Sequence, residues 1–238
     1  MAHAAPPGSR EAPGARGTAA MGVNMTSGQR APAGRRLGIM GGTFDPIHYG
    51  HLVAAEEARW QFRLDEVRFV PTGQPWQKPE GVSDADQRFR MVVLATAANP
   101  AFSVSRVEID RPGSTYTVDT LRRLRAELGG AAELFFITGA DAILQILTWK
   151  DPAEVLALAE LIVATRPGYD LASLEAHLPA ATGRVHAMRI PALAISSTDI
   201  RARVAAGAPI RYLVPEEVRR YVAEHGLYRP AGRRQVPR

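Results

Sequence analysis

Residues 38–51 read Gly38-Ile39-Met40-Gly41-Gly42-Thr43-Phe44-Asp45-Pro46-Ile47-His48-Tyr49-Gly50-His51: the end of an apolar strand, a glycine turn and two histidines three apart. Gly41 and Gly42 free the backbone to adopt φ > 0 and to approach a ligand with no Cβ in the way, and Thr43 adds a hydroxyl donor beside them. With a helix opening near Tyr49, His48 and His51 project from its first turn into one space. That turn also presents free N–H groups and the positive end of the helix dipole, which attract an anion. A phosphate is expected here. On their own the glycines read as an ordinary turn and the histidines as one buried and one solvated ring. Their conjunction with Phe44-Asp45-Pro46 is what makes the stretch specific.

Outward from this point, short apolar runs alternate with helical patterns. Residues 37–40, 67–70, 133–137 and 161–164 read as buried parallel strands, and residues 52–62, 84–98, 117–128 and 151–159 carry apolar side chains at helical spacing. Strand, helix, strand in succession implies right-handed crossovers: an α/β fold with a doubly wound, Rossmann-like parallel sheet flanked by helices, in a single domain. Ligands of such sheets sit at the carboxyl ends of the strands. The candidate motifs fall there: Gly41 after one strand, Pro71-Thr72-Gly73 after the next, Gly139-Ala140-Asp141 after a third and Arg166-Pro167-Gly168 after a fourth.

The 238 residues are 46% hydrophobic, enough for one sizeable core. There are no cysteines, which removes disulfides, a thiol nucleophile and thiolate metal sites. The net charge of +5 is concentrated in the tails. Residues 1–36 hold five arginines against Glu11 and residues 229–238 hold four arginines and no acid, so residues 37–228 carry 5 − 4 − 4 = −3. A nucleic-acid partner is therefore not needed to explain the basicity. The first 36 residues, rich in Ala, Gly, Pro and Arg, are expected to be a disordered basic extension, residues 37–228 the folded domain, and residues 229–238 a basic tail. Neither a signal-peptide pattern nor an apolar run of spanning length is present in the sequence. The expectation is a soluble cytoplasmic protein with no membrane partner.

Further segments carry chemistry-bearing residues. Ile195-Ser196-Ser197-Thr198-Asp199-Ile200-Arg201 places three hydroxyls before an amphipathic helix ending at Gly207, either as plain N-caps or as donors to a triphosphate, with Arg201 about one turn in. Residues 71–83 form a Pro- and Gly-punctuated loop of lid length that contains Lys78. Asp141, Trp149 and the Thr115-Tyr116 pair each allow a structural reading: an N-cap, a core aromatic and a capped helix start.

The first stretch resembles the T/H-x-G-H signature of the nucleotidyltransferase superfamily, and Ile195 to Arg201 resembles its second signature, Ile-Ser-Ser-Thr-x-Ile-Arg. The form Gly-Gly-Thr-Phe-Asp-Pro-Ile-His is most similar to the nicotinate-nucleotide adenylyltransferase branch, and the likeness runs from about Leu37 to Tyr228. It implies adenylyl transfer from ATP to nicotinate mononucleotide, with nicotinamide mononucleotide, more remotely phosphopantetheine, or a non-catalytic regulator as alternatives. By resemblance, His48, His51, Lys78 and Arg201 are the catalytic set. Gly41, Gly42, Thr43, Phe44, Gly139, Asp141, Arg166, Ser197 and Thr198 face ATP, and Thr115, Tyr116 and Trp149 face the acceptor. Mg²⁺ is expected to arrive with ATP, with no metal site of the protein's own. In the loop, Pro75-Trp76-Gln77-Lys78 departs from the branch's Pro-Pro-His-Lys. The oligomeric state is open, a homo-oligomer included.

Overall fold

The computed structural model describes residues 34–74, 81–129, 132–143, 146–165, 183–191 and 193–230, and for Asp141 and Leu147 the backbone alone. The expected disorder of the N-terminal extension, Lys78 and Arg166 lie outside the described residues, as does the side chain of Asp141.

Six parallel strands form one sheet: β1 (Arg36–Gly42), β2 (Glu66–Pro71), β3 (Phe102–Val104), β4 (Glu133–Gly139), β5 (Glu160–Thr165) and β6 (Val185–Arg189), in the order β3-β2-β1-β4-β5-β6. The central strands lack polar alternation because both of their faces are buried. In β1, Met40 enters one core with Phe135 and Ile137 of β4, while Leu37 and Ile39 enter the other with Leu134 and Phe136.

Helices cover the two faces. The first face lies under α1 (Tyr49–Gln61), α2 (Ala85–Thr96), α6 (Ser197–Ala206) and α7 (Glu216–Glu224), which contribute Ala54, Ala55, Ala58, Met91, Val92, Ile200, Val218 and Val222. The second lies under α3 (Thr117–Leu128) and α5 (Pro152–Leu158), through Val118, Leu121, Leu124, Val155 and Leu156. A one-turn α4 (Ala140–Ile143) and a 3₁₀ turn (Ile146–Thr148) follow β4. Helix α1 turns alanines inward, which lets it lie close to the sheet, and it stops where Arg63 takes φ 51°.

The doubly wound parallel sheet matches the expectation, and each expected strand and helix is present. Strands β3 and β6 and helix α7 were not anticipated. The chain moves from β1 outward to β3, then returns to β4 on the opposite side of β1, so the strand order reverses between β1 and β4. The crevice at their carboxyl ends is the topological switch point where doubly wound sheets bind ligands.

Candidate active site

Gly41 and Gly42 end β1 in extended backbone, which corrects the expected left-handed turn; neither has positive φ. Their reason for being glycine is packing. A Cβ on Gly41 would lie 3.1 Å from Cζ of Phe136, and one on Gly42 would lie 3.0 Å from Cζ of Phe44. The left-handed residue is Phe44, at φ 50°, followed by a cis Asp45–Pro46 peptide that turns the chain into α1.

His48 is the N-cap of α1, with extended backbone, and its N–H donates to Nδ1 of His51 at 3.3 Å. An Nδ1 that accepts leaves the proton of the neutral His51 ring on Nε2. The two rings stack with centroids 3.8 Å apart, and the Phe44 ring meets His51 edge-on at 5.1 Å. Gly50 lies between them for a steric reason: a Cβ there would stand 3.0 Å from Nδ1 and Cε1 of His48. Burial lowers the His48 pKa to about 4. Burial, reinforced by repulsion from His48, holds His51 well below its ordinary value. Both imidazoles are therefore neutral N–H donors at pH 7.

This burial has a consequence for stability. Between pH 6.5 and 4 the unfolded chain binds a proton at His48 that the folded chain excludes, so stability falls as pH falls through that window. The loss expected from His48 alone is about 3 kcal/mol. Urea unfolding from pH 7.5 to 4.5 should show it, with a shallower slope in His48→Asn. An unchanged slope in that variant would contradict a buried neutral His48.

The second signature folds against the first. Ser196 caps α6 by accepting Asp199 N–H at 3.0 Å. The next residue, Ser197, donates its hydroxyl to Pro46 O at 2.9 Å, and Arg201 donates Nη1 to Asp45 O at 2.7 Å and Nη2 to Thr198 Oγ1 at 3.3 Å. Stretches about 150 residues apart thus meet at one turn. Asp45 is only 2% exposed; its Oδ1 accepts from the Tyr228 hydroxyl at 2.6 Å and its Oδ2 from Ser83 N–H at 3.1 Å. Burial and the adjacent carboxylate raise the Tyr228 pKa, which keeps that hydroxyl a donor.

In the segment before α3, Thr115 is buried and sends both its N–H and its hydroxyl to Gln74 O, at 3.3 and 3.2 Å. Tyr116 caps α3 and packs on the second core, with Lys150 Nζ 5.0 Å above its ring. Trp149 follows the 3₁₀ turn, donates its backbone N–H to Ile146 O at 3.0 Å, and meets the edge of Phe136 at 5.8 Å. Phe136 is the same ring that crowds a Cβ at Gly41, so one aromatic ties the glycine end of β1 to Trp149. Gly139 ends β4, and α4 with Asp141 starts at the next residue.

Reading the sequence missed three contributors: Arg88, Glu108 and Tyr228. Arg88 carried a signal, since it stands three and four residues before Met91 and Val92 on the apolar face of α2. Glu108 is buried and accepts from the Thr120 hydroxyl at 2.6 Å, and burial raises its pKa. Tyr228 had no local signal.

The description cytidylyltransferase-like belongs to the family model that matches residues 39–203. A protein of Clavibacter michiganensis subsp. michiganensis named "Probable nicotinate-nucleotide adenylyltransferase" is 61% identical over 194 residues, covering 82% of this chain and 94% of its own length. One of the same name from Streptomyces coelicolor is 62% identical over 191 residues, covering 80% and 99%. Among solved structures, Plasmodium falciparum nicotinic acid mononucleotide adenylyltransferase complexed with NaAD superposes with a TM-score of 0.69 at 20% identity, covering 82% of this chain and 97% of that one, a likeness of fold.

Proposed function

We propose a function on one premise: this chain belongs to the nicotinate-nucleotide adenylyltransferase family, within the cytidylyltransferase-like nucleotidyltransferases. It transfers the adenylyl group of ATP to nicotinate mononucleotide, giving nicotinate adenine dinucleotide and pyrophosphate, a step of NAD biosynthesis. The observation that carries the reading is the joining of the two signature stretches by Ser197 and Arg201 on the carbonyls of Pro46 and Asp45.

The chemistry asks little of the protein beyond alignment and charge. The acceptor is a phosphate monoester whose second pKa is near 6, so it is already a nucleophile at neutral pH and requires no general base. The oxygens that gain charge as pyrophosphate leaves must be met by fixed donors. His51 serves with its Nε2–H, His48 with one ring N–H, and Arg201 with its guanidinium beside the N-terminus of α6. Lys78 is assigned to the triphosphate and Arg166 and Asp141 to the adenosine side, on the resemblance of their segments to the family's motifs. Gly41, Gly42, Thr43 and Phe44 form the wall against which the phosphates lie, with Thr198 and Gly139 at its edges. Mg²⁺ enters as part of the magnesium–ATP substrate, lowering the charge on the phosphate oxygens that hold it. The donor set fits that arrangement, because buried Asp45 has both oxygens taken by Tyr228 and Ser83 and buried Glu108 accepts from Thr120. The reaction consumes ATP and a phosphorylated pyridine nucleotide, and we place it in the cytoplasm.

Trp149, held edge-on by Phe136, stacks on the pyridine ring. Trp149→Ala should raise KM for nicotinate mononucleotide roughly tenfold and leave KM for ATP within about twofold. An equal rise in both would remove Trp149 from the acceptor pocket.

A further inference from the structure

Arg88 is 1% exposed, and each of its three guanidinium nitrogens donates to a carbonyl of a different segment. Nε reaches Ser83 O at 2.9 Å, Nη1 reaches Thr43 O at 2.8 Å and Nη2 reaches Gly73 O at 2.9 Å. Among the described residues no carboxylate lies within 4.0 Å of it; Asp45, Asp84 and Glu108 act on it only through space. A buried cation satisfied by neutral carbonyls pays a desolvation cost that no partner charge in contact offsets. On an apolar helix face beside Met91 and Val92, a methionine or leucine would avoid that cost, so stability alone is a poor reason for an arginine.

Two of the three carbonyls belong to opposite halves of the site. Thr43 continues the glycine end of β1 into Phe44, whose left-handed backbone is strained and needs its neighbours to hold it. In a trans peptide the C=O and N–H point in opposite directions, so drawing Thr43 C=O onto Nη1 fixes the plane of the Thr43–Phe44 unit. Gly73 precedes Gln74, which is bridged to Ser114 and whose carbonyl accepts both donors of Thr115. No side chain can replace the hydrogen of Gly73, since a Cβ there would fall 2.3 Å from Glu108 O.

We infer that Arg88 is a positioning residue: its guanidinium fixes Thr43–Phe44 against Gly73–Gln74 and so sets the distance between the phosphate-binding and acceptor-binding halves of the site. The inference rests on the function proposed above. In-line transfer is sensitive to this spacing, and a displacement of about 1 Å costs on the order of 10²-fold in rate. Lysine cannot substitute, because its ammonium lacks the planar fork that serves three carbonyls at once.

In the full chain, Arg88→Lys should lower kcat by roughly 30- to 100-fold, with KM for ATP and for nicotinate mononucleotide each within about threefold. Its far-UV circular dichroism should match wild type. A guanidinium salt at millimolar concentration should restore about tenfold of the activity lost in Arg88→Ala, and urea at the same concentration should not. An unchanged kcat in folded Arg88→Lys, or a loss no larger than the unfolded fraction, would overturn the inference. Hydrogen exchange of the wild-type chain decides it apart from activity and from the folding of any variant. The Phe44 and Thr115 amides should show equal protection with the same urea dependence, as one unit held by one group; independent opening would overturn it. Wild-type chain without turnover but with this shared protection would mean that the functional reading, and not the coupling, has failed.

Discussion

Replacing His51 with alanine is expected to lower turnover by about 10² or more while the affinity for ATP changes little. His51 Nδ1 is committed to the His48 backbone N–H, so the ring carries its proton on Nε2 in a fixed orientation. Because burial keeps the ring neutral, its contribution is a directed hydrogen bond that strengthens as the phosphate oxygens gain charge. Loss of a donor of that kind appears in kcat. The same substitution removes the acceptor at the start of α1 and should cost about 1 kcal/mol of stability, measured separately by urea unfolding. Steady-state kinetics with saturating nicotinate mononucleotide check the claim. A variant with near-normal turnover and a raised KM for ATP would make His51 a ground-state contact.

The second large effect is on stability. Asp45→Ala is expected to destabilise the chain by about 3 to 5 kcal/mol, because it leaves the Tyr228 hydroxyl, the Ser83 N–H and the nearby buried charge of Arg88 without the carboxylate. Tyr228→Phe removes one of these bonds and should cost about 1 to 1.5 kcal/mol. The two losses should not add, since both act on one network. Urea denaturation of the single and double variants measures this. An Asp45→Ala protein as stable as wild type, but with an altered Mg²⁺ requirement, would move Asp45 from the fold to the metal's water shell.

The central strands could be read from the sequence because burial on both faces leaves uninterrupted apolar runs such as Leu134 to Ile137. The outer strands could not: β3 has three residues, all partly exposed, and β6 buries Val185 and Met188, three apart and in different cores, between the more exposed His186, Ala187 and Arg189. The site's motifs were legible wherever the chemistry is local, as in the histidine pair of one helical turn. For Gly41 and Gly42 the structure replaces the expected conformational reason, since they make room for aromatic rings of Phe136 and Phe44 and the positive φ belongs to Phe44. Contacts between distant segments left no local mark. The hydroxyl of Tyr228 reaches Asp45 across 183 residues and Arg88 reaches Thr43 across 45, and only the folded sheet brings such pairs together.

The account turns on which acceptor takes the adenylyl group, and pyrophosphate release tests it most directly. Purified chain with ATP and Mg²⁺ should release pyrophosphate with nicotinate mononucleotide and much more slowly with nicotinamide mononucleotide at equal concentration. Release with neither would contradict the assignment.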